Sequence, residues 1–381
     1  MQLLFVADGR SPIARGWIRF FVERGDEVTL VSSFRCDADL PLRRVLVLPV
    51  AFASARKSGS KTSGSGRAIA ARAAIRHWLG PLTLHFFVGK LRRVIREVTP
   101  DLVHAMRIPF EGMLAAAARQ APPLIVSIWG NDFTLHAPAG PIMAMWTRRT
   151  MRAAAGLHTD CQRDVRLADA WGFDPSKPAT VIPGNGGVRL DVFFPPRVPP
   201  GPVVLNPRGS RTYVNNDAFF RAIPLVLKQH PSARFICASM AGDRQAGALI
   251  RDLGVSSAVE LLEPMPHERM AEVYRRAQVL VSPALHDGMP NSLLEGMACG
   301  CFPVAGDLES IREWITNGRN GLLVDPSSPG ALAEAIVLAL DREDLRREAA
   351  GLNQHLVAER ADFVKCMPRA VEFYRTVTAS G

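Results

Sequence analysis

Residues 282–304 read SPALHDGMPNSLLEGMACGCFPV, and this stretch decides the fold. The apolar residues 279–282 leading into it read as a buried strand, and residues 302–305 at its far end read as another. Between them come a loop, Pro290, and the helical spacing of Leu293, Leu294 and Met297. This reading puts Pro290 at the first helical position, where its missing N–H costs nothing. The amides of Met289, Asn291, Ser292 and Leu293 then lie free at the positive end of a helix, a place suited to phosphate. Asp287 sits in the loop and Glu295 one turn inside the helix, so the two carboxylates face different parts of one ligand. On that pair alone the plainer reading is stronger: Asp287 as a helix cap and Glu295 as a solvated surface residue.

Outward from this stretch the same alternation recurs. Apolar runs at 3–7, 28–32, 45–50, 102–104, 124–129 and 156–159 are separated by helical patterns, among them 13–24, 109–119, 141–153 and 161–171. The prolines of FFPPRVPPGP, residues 193–202, make a stiff connector. After it the rhythm restarts, with strands at 203–206, 234–238, 259–262, 279–282, 302–305 and 321–324. Near-continuous apolar strands spaced by helices imply parallel sheets covered on both faces. The chain of 381 residues therefore reads as two doubly wound Rossmann-like α/β domains facing a cleft, 1–195 and 196–381, with the last helix packing back on the first. Ligands in such sheets bind beyond the carboxyl ends of the strands.

Charge is unevenly placed. Residues 1–195 hold 26 Lys+Arg against 15 Asp+Glu, whereas the remainder is nearly balanced, which points to an anionic partner for the first half. Residues 56–96 carry ten basic residues and no acid, interleaved with Trp78, Leu82, Phe86 and Phe87. Two amphipathic helices broken at Gly80-Pro81 account for them, either docked on an anionic membrane or packed on the domain's own sheet. Nucleic acid is disfavoured, because those aromatics follow helical core spacing. The six cysteines are scattered, without zinc-ligand spacing, and suit reduced thiols in the cytoplasm. Asp37-Ala38-Asp39 has a metal-holding spacing, yet reads better as a solvated loop. No run of apolar residues reaches the length of a membrane span.

The segment from Asp287-Gly288-Met289-Pro290 to Glu295, then Gly296 to Gly300, Pro303-Val304, Asp307, Glu313, Gly318 and Asn320 to Val324, resembles the retaining GT-B glycosyltransferases of family 4. Those carry an E-x7-E motif followed by A-x-G-x-P-V and G-x-x-G-x-L-V; here the first position is Asp, one methylene shorter. Val181-Ile182-Pro183 with Asn185-Gly186 resembles the segment that closes the family's first domain. Ile128-Trp129-Gly130-Asn131-Asp132 resembles its acceptor-side loop, and Gly9-Arg10-Ser11-Pro12 stands where the loop over the donor phosphates lies. Glu263 to Pro266 stands where members frame the nucleobase. Arg208 fits the family's phosphate-binding Arg, while the usual Lys is missing and Arg211 is the candidate replacement.

What the resemblance implies is a metal-independent, retaining hexosyl transfer from a UDP- or GDP-linked sugar to an acceptor hydroxyl of a glycan, glycolipid or small molecule. Arg208, Asp287 and Asp132 would be catalytic. The donor would meet Gly9, Arg208, Arg211, Met265, Asp287, Gly288, Met289, Pro290, Asn291, Ser292, Leu293 and Glu295. The acceptor would meet Arg10, Trp129, Asn131 and Asp132. No metal or other cofactor is called for, and the protein would sit in the cytoplasm, against the inner face of the membrane where the basic segment docks. A nucleotide-sugar epimerase on the same fold, and a non-catalytic nucleotide-sugar-binding or membrane adaptor protein, stay open as alternatives.

Overall fold

A computed structural model describes residues 1–36, 39–51, 79–118 and 121–380. The chain forms two compact units, Met1–Gly186 with Met367–Gly381, and Gly187–Cys366. Residues 187–195, read from sequence as part of the first domain, thus belong to the second unit. Phe193 is buried there between the rings of His267 and Tyr274.

Among the described residues of the first unit seven strands form one parallel sheet: β1 (Gln2–Ala7), β2 (Glu27–Ser32), β3 (Arg44–Val47), β4 (Leu102–Ala105), β5 (Leu124–Ile128), β6 (Gly156–Thr159) and β7 (Ala179–Val181). Their order across the sheet is β3-β2-β1-β4-β5-β6-β7. Residues 3–7 of β1 are all buried, as expected for a central strand covered on both faces. Helix Pro12–Glu23 covers one face with Trp17, Ile18 and Phe21. Ser11 caps it by accepting the Ala14 N–H, and Pro12 occupies the first turn.

The second unit repeats the plan with β8 (Val203–Asn206), β9 (Arg234–Cys237), β10 (Val259–Leu261), β11 (Val279–Ser282), β12 (Phe302–Gly306) and β13 (Leu322–Val324), ordered β10-β9-β8-β11-β12-β13, all parallel. Helices Asn216–Gln229 and Pro329–Asp341 pack their apolar sides on one face, and Asn291–Ala298 packs on the other.

The expected helix at 109–119 is shorter than the sequence suggested. Pro109 is extended and Phe110 takes a positive φ of 71°, so the helix begins only at Met113. Of the two amphipathic helices expected around Gly80-Pro81, the second is present at His85–Val98. The first, with the loop 58–66 and Trp78, lies outside the described residues, as do Asp37 and Ala38. All six cysteines are free thiols. Among the described residues no helix is long and apolar enough to cross a membrane.

A chain of buried polar groups crosses the first sheet and ties in the final helix, Phe363–Ala379. Trp17 Nε1 donates to the Tyr374 hydroxyl at 2.8 Å, which meets His104 Nδ1 at 2.5 Å. His104 Nε2 and His158 Nδ1 each lie 2.8 Å from Ser127 Oγ, and His158 Nε2 lies 3.0 Å from the Ile182 carbonyl. That carbonyl can only accept, so with both imidazoles neutral every proton is placed: each ring donates through Nε2 and accepts through Nδ1. Burial pushes His104 well below the ordinary 6.5 and His158 down to about 4.

The unfolded chain therefore binds protons that the folded one refuses. Stability from this chain should be complete above pH 6.5 and fall as the pH drops toward 4, seen as a falling denaturant midpoint. Ser127→Ala orphans one buried donor and one buried acceptor, and should cost about 1–3 kcal/mol at neutral pH. An unchanged midpoint would show that these bonds add nothing to stability.

Candidate functional site

In the second sheet the strand order reverses between β8 and β11, and the two loops that leave this point carry the candidate donor-site residues. Backbone bonds stitch the loops together: Asn215 N–H donates to the Pro283 carbonyl and Leu285 N–H to that of Tyr213, both at 2.8 Å. Arg208 follows β8 and is buried. Its backbone N–H is held by Asn206 Oδ1 at 3.0 Å, and Asn206 in turn donates to Asn216. Its guanidinium donates to Asp287 and, at 3.1 Å, to Ser292 Oγ. These residues stand 79 and 84 positions away along the chain. Arg208 Nε is buried with no hydrogen-bond partner among the described residues, as is Asn291 Oδ1. A buried donor left unpaired costs about 1–3 kcal/mol, so a ligand oxygen at Nε would be well received.

Two details of the helix start differ from the sequence reading. Pro290 caps the helix from outside, with extended ψ of 124°, and Asn291 is the first helical residue. The Leu293 amide is engaged too, donating to the Pro290 carbonyl at 2.9 Å. The Gly288 amide donates to its neighbour Asp287 Oδ1 at 3.1 Å. Asn291 and Ser292 carry first-turn amides, for which a helix offers no carbonyl. Asp287 itself is fixed from below by Ser310, which donates to its carbonyl oxygen at 2.8 Å.

Glu295 is not the solvated surface residue of the plainer reading: it is 3% exposed. Oε1 lies 2.7 Å from His267 Nε2, and Oε2 accepts from the Tyr274 hydroxyl at 3.1 Å. His267 is raised above its ordinary value, chiefly by that bond to Glu295, and burial raises the Tyr274 phenol far above its own. Neither residue is legible from sequence as part of the site, because each stands more than 20 positions from Glu295 in another element. Met265 lines a cavity of about 210 Å³ with Leu262, Arg269 and Val273. Arg211 is exposed and donates to the Tyr213 hydroxyl at 2.8 Å.

The first unit gathers its candidates at the corresponding reversal, between β1 and β4. Gly9 donates to Ser32 Oγ at 3.0 Å, and a Cβ there would fall 2.5 Å from Cys36 Sγ, so a larger residue would have to displace Cys36. Arg10 grips Asp8 with two N–H groups and lies 3.5 Å over the Phe34 ring. Asp132 is wholly buried. Its oxygens accept from Arg107 Nε at 3.0 Å and from the Trp129 and Ile108 amides at 3.2 and 3.3 Å. Burial raises its pKa, and Arg107 opposes the rise. Arg107 also donates to Asn131 Oδ1 at 3.0 Å, and Trp129 Nε1 is buried without a partner among the described residues. Asp132 thus holds the loop together, with Arg107 and Trp129 half-buried and Asn131 buried beside it. Sequence reading missed Arg107, and also Glu111, a buried carboxylate that accepts from Ser33. A larger hollow, about 660 Å³, is lined by Met1, Asp26, Asp101 and Arg375 at the amino ends of β1 and β4, away from the strand ends where such sheets bind ligands.

Two parallel-sheet units of this kind define the GT-B glycosyltransferase architecture, and solved structures share it. Sucrose-phosphate synthase from Thermosynechococcus elongatus superposes with a TM-score of 0.75 at 16% identity, covering all of both chains. HepE of Anabaena, solved with UDP and glucose, gives 0.72 at 16% identity over 98% of each. Residues 9–185 match the glycosyl transferase 4-like domain and residues 208–342 match glycosyl transferases group 1. The chain belongs to family 4 of the GT-B glycosyltransferases. Among relatives, a D-inositol 3-phosphate glycosyltransferase of Acidothermus cellulolyticus is 32% identical over 50% of this chain and 46% of its own. One from Thermobispora bispora is 27% identical over 58% and 55%. The chain spans about half the length of the curated relatives it matches.

The loop that carries Asp287 rests on β12 at Gly306, where a Cβ would lie 2.5 Å from the Ala284 carbonyl oxygen. Backbone cannot swing aside as a side chain can. Gly306→Ala should therefore destabilise the second unit by about 1–3 kcal/mol, measured by chemical denaturation. A variant as stable as the parent would mean that the loop yields freely.

Proposed function

We propose that the protein is a retaining glycosyltransferase that moves a sugar from a UDP- or GDP-linked donor to an acceptor hydroxyl. The observation that carries this is the buried Arg208 guanidinium at the reversal of the second sheet, sharing Asp287 and Ser292 with an Nε still unpaired. As the bond from the anomeric carbon to the leaving phosphate breaks, the sugar gains oxocarbenium character and negative charge grows on the phosphate. Arg208, Arg211 and the amides of Asn291 and Ser292 stabilise that charge. Asp287 accepts from sugar hydroxyls, and Glu295 from those of the ribose. The leaving phosphate takes the acceptor's proton on the same face, so no separate nucleophile is assigned. With these cations in place the reaction needs no metal. Asp132 acts by holding Trp129, Asn131 and Arg107 for the acceptor, which Arg10 also meets; Met265 borders the base.

Arg208→Ala should lower kcat more than it raises donor KM, since its charge partner grows only in the transition state. Glu295→Ala should weaken UDP or GDP binding about tenfold, the loss of a charge-assisted bond. Transfer should survive EDTA, and a strict need for Mn²⁺ or Mg²⁺ would contradict the metal-free account. Release of altered free sugar without any acceptor would mark an epimerase. Binding without transfer or hydrolysis would mark an adaptor.

The basic segment gives the acceptor side a place at an anionic membrane. Helix His85–Val98 buries Leu91, Val94, Ile95 and Val98 in its own unit, whereas Leu79, Leu82 and Phe86 stay exposed, Phe86 at 78%. Lys90, Arg93 and Arg96 are exposed beside them. Arg92 is engaged otherwise, bonding the carbonyls of Ala117 and Ala118. Apolar tips ringed by cations suit an anionic leaflet, at about 1 kcal/mol per basic residue. Liposomes containing phosphatidylserine should co-sediment the protein, less so in salt, and Phe86→Glu with Lys90→Glu should abolish it. Equal, negligible binding to neutral and anionic vesicles would assign these charges to an acidic soluble acceptor.

A further inference from the structure

We infer that His267 is a positioning residue for the nucleotide: it holds Glu295 in place for the ribose and, when protonated, offsets its charge, so that nucleotide affinity depends on pH. This rests on the reading of Glu295 as the ribose-binding group.

Glu295 is a carboxylate only 3% exposed, on a helix whose apolar residues Leu293, Leu294 and Met297 belong to the unit's core. A charge in such a place must be paired, or its burial costs several kcal/mol. Among the described residues two side chains hydrogen-bond it, and they differ in kind. Tyr274 is a neutral donor at every working pH, because burial keeps its phenol protonated. His267 is the partner that can change charge. Its ring lies beside Phe193, 5.1 Å between centroids, and its side chain is 44% exposed, so it exchanges protons with solvent. With one bond on each oxygen, Glu295 keeps a further lone pair on each for two ribose hydroxyls.

The charges around His267 fix the direction. Glu295 on helix Asn291–Ala298 and Glu268 in its own turn favour the protonated ring, and Arg189 opposes it. The ring titrates above its ordinary 6.5, with the hydrogen bond to Glu295 the largest cause. Below that point the His267–Glu295 pair is neutral overall. Above it, the carboxylate stands uncompensated beside an anionic nucleotide diphosphate and is freer to turn. Nucleotide binding therefore favours the protonated ring, takes up protons, and weakens as pH rises.

The test is calorimetric titration of UDP and of GDP into the full chain between pH 6 and 8.5, in two buffers of different ionisation heat. Wild type should show proton uptake and an affinity that falls by up to about tenfold across the range, the ceiling for a shift of one unit. His267→Gln should lose the part of that uptake that exceeds the nucleotide's own and bind weakly throughout. His267→Lys, charged throughout, should lose the same part and bind tightly. The titration of the nucleotide's own phosphate is common to all three proteins and cancels in the comparison. Both variants lie at a half-exposed position. Proton uptake in His267→Gln equal to wild type would overturn the proposal. Glu295→Ala supplies the separate control: if it binds as wild type, the ribose reading itself has failed, whereas a weak Glu295→Ala beside an unaltered His267→Gln sinks only the role of His267.

Discussion

Parallel strands must be joined by crossovers long enough to carry the chain back, and in this protein those crossovers are mostly helices. That constraint places nearly everything else. Crossovers on both faces demand strands that are apolar on both sides, hence the runs LLFVA in β1 and VLVS in β11. They also send every strand out at the same edge of its sheet. Where the order reverses, two neighbouring strands lead their loops apart and open a crevice. Arg208 and Asp287 leave the strands flanking one such reversal; Gly9 and Arg107 leave those flanking the other.

Within that frame the energetic problem is how to keep charge under cover. Arg208 is a cation almost out of reach of water, and it is tolerable only because Asp287 and Ser292 arrive from a distant part of the chain. Glu295 poses the same problem with the opposite sign and is met by His267 and Tyr274. Asp132 is met by Arg107 and two backbone amides. Each solution leaves some hydrogen-bonding capacity unused, at Arg208 Nε, Asn291 Oδ1 and Trp129 Nε1. A fold that settled every polar group would have nothing left with which to bind.

The buried chain from Trp17 through Tyr374, His104, Ser127 and His158 answers a different need. The final helix must return to the first unit with a single register. Apolar contacts such as the Phe21–Tyr374 stack supply attraction without direction. A line of hydrogen bonds whose protons are fixed by the Ile182 carbonyl supplies the direction, because a slip of one turn would strand several buried donors and acceptors at once.

Periodicity in the sequence determined the strands, most helices and the two-unit plan, since burial on both faces writes itself as apolar runs. Local spacing also brought out Asp287, Ser292 and Glu295, which share one loop and one helix, and the resemblance to family 4 singled out Arg208. Departures arose where local patterns compete. Pro109 and the left-handed Phe110 delayed a helix that apolar spacing extended too far, and Pro290 fell one position short of the helix it was expected to begin. Only the tertiary structure decided who meets whom. Arg208 with Asp287, Glu295 with His267, Asp132 with Arg107 and Ser33 with Glu111 are pairs separated by 25 to 79 positions. No short motif encodes such a pair, because the distance between two strand ends is set by sheet order and crossover packing, and those are properties of the whole fold.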